Sequence, residues 1–68
     1  MAQEVTNALN NLSNQELQAL KSHAEAVDNH DNEQSKGVLQ TFAQRSKIAA
    51  IVSGAGGIIW LAKFIRRH

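Results

Sequence analysis

The chain has 68 residues, which is room for one small domain, and it contains neither Cys nor Pro. The absence of Cys excludes a disulfide framework, a thiol nucleophile and a zinc–thiolate site. Charge is unevenly spread: residues 1–47 hold all six acids and four basic residues, a net −2, while residues 48–68 hold Lys63, Arg66 and Arg67 and no acid, a net +3.

The first element is a short helix over about 3–12, where Val5, Leu9 and Leu12 follow the i, i+4, i+7 spacing of one helix face. Leu12-Ser13-Asn14-Gln15-Glu16-Leu17 is the sharpest local signal. Ser13 can accept from the backbone N–H three residues on, Glu16 can reach back to the N–H of Ser13, and Leu12 and Leu17 occupy the positions of a hydrophobic staple. A second helix is therefore expected over about 14–28. Its stripe of Leu17, Leu20, Ala24 and Val27 has 3-4-3 spacing and is read as a partner-docking face.

Asp28-Asn29-His30-Asp31-Asn32 is rich in side chains that bond their own backbone and so favour turns and caps. Asp31 or Asn32 can cap a further helix, with Glu33 in its first turn where negative charge suits the dipole. No stop signal follows. One long helix over about 32–66 is expected, amphipathic over 31–47, hydrophobic over 48–65 and ending in a basic tail at 66–68.

Ile48–Ala62 is 15 residues without a charge, and extending it through Ile65 gives 18 residues, about 27 Å of helix against a hydrocarbon core of about 30 Å. Arg45 and Lys47 precede it; Trp60, Lys63, Phe64, Arg66 and Arg67 close it, the residue types that anchor a helix at membrane interfaces. A transmembrane helix is the leading reading; a helix buried in a larger assembly and an interfacial helix are the alternatives. Basic residues balance at the two ends, so no orientation follows. Small residues recur along this stretch, at Ser46, Ala49, Ser53, Gly56 and Gly57, and predict a helix-packing face toward an identical helix or another protein.

His23 and His30 lie seven apart, too few ligands for a metal site. Gly54-Ala55-Gly56-Gly57 lacks the Lys-Ser/Thr that a phosphate loop requires. No catalytic constellation, cofactor, small-molecule substrate or nucleic-acid partner is expected: the basic residues bracket an apolar stretch and form no continuous patch.

In IAAIVSGAGGIIWLAKFIRR the chain resembles small phage-encoded single-span membrane proteins, the holins and XhlA-type haemolysins, which combine a polar helical segment, a Gly/Ala/Ile-rich span and a terminal basic cluster. The polar segment departs from the XhlA type, whose coiled coil is longer. The combined reading is an all-α protein without an independent globular core, in which residues 1–30 dock on a partner and 48–65 lie in a membrane or a virion assembly. It is expected to be non-enzymatic, a minor virion component or a membrane-contacting genome-delivery protein at the host inner membrane or in the particle. A holin- or toxin-like permeabilising protein and a small regulatory subunit of a membrane complex are the alternatives. Its expected partners are the lipid bilayer and itself or larger subunits.

Overall fold

The computed structural model describes residues 2–53 and 56–68, and it is all-α. Among the described residues the elements are α1 (Ala2–Asn10), α2 (Asn14–His30), α3 (Glu33–Arg45) and α4 (Gly57–Arg67). The Cα radius of gyration, 10.5 Å, is close to the roughly 11 Å expected for a compact domain of this length.

α2 begins on the reciprocal cap its sequence announces. The Glu16 N–H donates to Ser13 Oγ at 3.2 Å, and the Ser13 N–H donates to Glu16 Oε1 at 3.0 Å. α2 runs two residues beyond the expected end and stops as Asp31 turns left-handed (φ 50°), a conformation that Asp tolerates better than most residues. Asn32 then caps α3, its Oδ1 accepting from the Ser35 N–H at 2.9 Å. Lys36 pairs with Asp31 and Glu33 on the surface of this turn. The hydrogen bond to Asp31 raises its ammonium pKa.

The single helix expected over 32–66 is instead two helices. After Arg45 the Lys47 N–H donates to the Gln44 carbonyl and the Ile48 N–H to the Ala43 carbonyl, with Lys47 itself at φ 61°. This is the Schellman arrangement, which turns the chain out of a helix through one left-handed residue. Glycine usually holds that position; here a lysine does, so the sequence carries no visible stop. A short turn follows, with the Ile51 and Val52 N–H groups both donating to the Ile48 carbonyl. α4 starts at Gly57, preceded by Gly56 at φ 88°, a value glycine adopts without strain. Gly57 is needed for a different reason: a Cβ there would lie 2.3 Å from the Val52 carbonyl oxygen. Gly54 and Ala55, part of the expected span, lie outside the described residues. Among the described residues, no helix is long and apolar enough to cross a membrane; α4, with 11 residues, is about 16 Å long.

The expectation of no independent core is also corrected. Val5 and Leu9 of α1, Leu20, Ala24 and Val27 of α2, Leu39, Phe42 and Ala43 of α3, Ile48 and Val52 of the connection, and Leu61, Ala62 and Ile65 of α4 form one buried cluster. Full burial of each Leu, Ile, Val or Phe side chain contributes about 1.5–3 kcal/mol. α2 is central, packing on both α3 and α4 and more extensively on α4. Breaking the long helix is what makes this possible, because it folds Leu61, Ala62 and Ile65 back onto α2.

Candidate functional site

The stripe read as partner-docking faces inward. Leu20, Ala24 and Val27 are buried in the chain's own core and Leu17 is half-buried against it, so the partner they meet is intramolecular. The five small residues do not share one helix face. Ser46 is the C-cap of α3, Ala49 packs on the core from the connection, and Ser53 is exposed and donates to the Ala50 carbonyl. Gly56 is the N-cap of α4, and Gly57 packs against Val52. A packing seam requires one continuous helix, and the break at Lys47 removes it.

The interface-type residues are arranged differently. α4 buries Leu61, Ala62 and Ile65 and turns Trp60, Lys63 and Arg67 outward, with Phe64 half-buried beside them, the i, i+3, i+4, i+7 set of the opposite face. Trp60 is 37% exposed, the most exposed large apolar side chain described, and its ring lies 5.4 Å from that of Phe64 at a 37° tilt. Lys63 and Arg67 lie on the same face as this aromatic pair and have no acid within ion-pair distance among the described residues. Arg45 and Lys47, expected at the other edge of a span, are exposed at the far end of the connection. They do not line up with the α4 set along one helix.

Arg66 points to α2 instead. Its guanidinium donates to Asp28 Oδ2 at 2.5 Å and to Asn29 Oδ1 at 3.5 Å, fixing the last turn of α4 against the end of α2. The two partners are 38 residues apart, so no local pattern could have revealed them. Arg66 also borders a polar cleft with Gln18, Lys21, Ser22 and Glu25. Lys21 is thus placed in one cleft with Arg66 and the acid Glu25, a placement that helical spacing on α4 alone could not supply.

A second surface lies between α2 and α3, a groove of about 670 Å³ whose lining combines the apolar Leu12, Leu20, Val38 and Phe42 with the charged Glu16 and Arg45 and the polar Gln34, Thr41 and Ser46. The two Ser13 hydrogen bonds, backbone first, hold the Glu16 carboxyl below its usual range, and the positive charge of Arg45 adds to this. His23 Nδ1 and Ser35 Oγ share a hydrogen bond of 3.0 Å across α2 and α3, which satisfies the buried Ser35. Among the described residues no three His, Asp or Glu side chains gather as a metal site would require. No protein-family model, curated protein or solved structure matches this chain.

Proposed function

We propose that this is a small non-enzymatic protein that works by contact at a membrane surface, as an anchoring or assembly component, with α4 lying flat on the headgroup layer. The observation that carries this reading is the outer face of α4, where the exposed Trp60 and the half-buried Phe64 share a face with Lys63 and Arg67, neither of which is paired with an acid among the described residues. Tryptophan favours the headgroup level because its ring is apolar and its indole N–H polar, Phe64 adds apolar surface, and basic side chains meet anionic lipid there. The charge asymmetry of the chain points the same way, since residues 48–68 contain no acid.

Each Lys or Arg near an anionic surface contributes about 1 kcal/mol. Lys63→Gln with Arg67→Gln should therefore weaken binding to phosphatidylglycerol-containing vesicles by roughly 30-fold. Co-sedimentation measures the binding, and Trp60 emission should move to the blue on contact. Equal, negligible partition onto anionic and phosphatidylcholine vesicles would sink the reading. Release of an entrapped dye at the same protein concentrations would favour the permeabilising alternative over the anchoring one.

The α2–α3 groove favours a second reading, docking on a protein partner as part of an assembly. Its lining combines apolar side chains with one charge of each sign, Glu16 and Arg45. Substituting Val38→Gln should then abolish co-purification of a partner while leaving vesicle binding unchanged.

A further inference from the structure

Where α4 ends against α2 the surface is concave. A cleft of about 290 Å³ is lined by Asp28, Lys63, Arg66 and Arg67. Asp28 is the only acid of the four, and its charge is already committed: the side chain is 18% exposed and accepts from the Arg66 guanidinium. Asn29 Oδ1 takes a second bond from the same Arg66 nitrogen, so one guanidinium is pinned at the cleft wall. Lys63 and Arg67 stand one helical turn apart on the α4 side, and neither is paired with an acid among the described residues. The cleft thus holds three cations against one neutralised acid.

A flat basic face suits diffuse negative charge. A concave one with a fixed guanidinium and two free cations suits a compact anion carrying two charges and several acceptor oxygens, because each oxygen can take a charge-assisted hydrogen bond. A phosphomonoester has that form and carries close to two negative charges at neutral pH, whereas a phosphodiester carries one. Phe64 and Trp60 lie on the same face of α4, three and seven residues before Arg67. They put apolar rings on the helix face that carries Lys63 and Arg67, toward which the glycerol and upper acyl region of a lipid would extend if its phosphate were bound. We infer that this cleft recognises the phosphomonoester headgroup of a lipid, and that the protein selects such lipids over other anionic ones. The inference rests on the membrane-surface reading and names its lipid partner.

The test uses the full chain and phosphatidylcholine vesicles doped either with phosphatidic acid or with phosphatidylglycerol, the two matched in surface potential. The expected result is about tenfold tighter binding to the phosphatidic acid vesicles, the effect of about one additional charge-assisted hydrogen bond. Arg67→Gln should weaken binding to both and erase the preference. Asp28→Asn is the discriminating variant. It raises the net positive charge by one and releases Arg66, so binding to phosphatidylglycerol should hold or rise while the preference for phosphatidic acid falls; circular dichroism verifies that the variant is folded. Equal binding of the two lipids by the parent chain, or a proportional rise for both in Asp28→Asn, would overturn the cleft and leave the membrane-surface reading standing. Failure to bind either lipid would overturn both. Saturable NMR shifts of residues 63–67 with inorganic phosphate, without any lipid preference, would overturn the lipid and assign the cleft to a free phosphate.

Discussion

At residues 11–13 the chain passes from α1 to α2 on side chains: the Ser13 hydroxyl and the Glu16 carboxylate satisfy the backbone N–H groups that the new helix leaves open. At residues 46–56 it passes from α3 to α4 on backbone geometry. Lys47 turns left-handed, Ile48 closes back on Ala43, and Gly57 lies against Val52. The first passage is mostly solvent-exposed, with only Leu12 resting on the core, and its cap is made by its own side chains. The second is held in place by burial, since Ile48 and Val52 belong to the same core as Leu61 and Ile65. Damage to the first should therefore remain local, and damage to what holds the second should reach the whole molecule.

The largest effect should come from Leu61→Ala, which empties a fully buried site where α4 meets the core. A cost of about 2–5 kcal/mol is expected, measured by urea denaturation with helix content as the signal. A loss of only a few tenths would mean that α4 is not part of the cooperative unit. Gly57→Ala comes next. In an open helix this change gains up to about 1 kcal/mol, but here the new methyl would drive the Val52 carbonyl away, so a net cost of about 1–3 kcal/mol is expected. A higher melting temperature would show that the backbone at Val52 yields to the methyl and that the second passage is loose. Ser13→Ala removes only the cap and should cost about 1 kcal/mol, with exchange protection lost mainly in the first turn of α2.

The smallest effect is one of pH. The Ser13 N–H and hydroxyl lower the Glu16 pKa, so the folded protein holds the ionised form more tightly than the unfolded chain does. That stabilisation is complete above the ordinary carboxylate range and fades as the pH falls through that range toward the lowered value. The stability difference between the parent chain and Glu16→Gln, measured by thermal melts across acidic pH, should shrink on acidification. A difference that grows instead would overturn the sign.

The same contrast explains what the sequence made legible. Ser13, Glu16 and Asn32 act within four residues of themselves, so both the start of α2 and the start of α3 could be read in advance. Lys47 adopts a glycine-like conformation with nothing in its chemistry to announce it, and the reward for doing so lies in Leu61 and Ile65, fourteen and more residues away. Hydrophobicity over 48–65 was visible, but what it would bury against was not. A stretch this apolar satisfies a membrane and a folded core equally well on composition. Trp60, Lys63, Phe64 and Arg67 could be recognised by residue type, yet only the fold separates them from Arg66, which is drawn aside by an acid in α2.

The dominance of the α2–α4 contact has a consequence for the order of events during synthesis. α2 emerges from the ribosome early, but the helix it packs on most extensively is the last of the four described helices to be made. Until about residue 67 has cleared the exit tunnel, the stripe of Leu20, Ala24 and Val27 is covered only in part, by α3, so the native core closes only after α4 is complete. Nascent chains halted before α4 should accordingly be bound by chaperones and cut by proteases, whereas chains released with α4 complete should resist both.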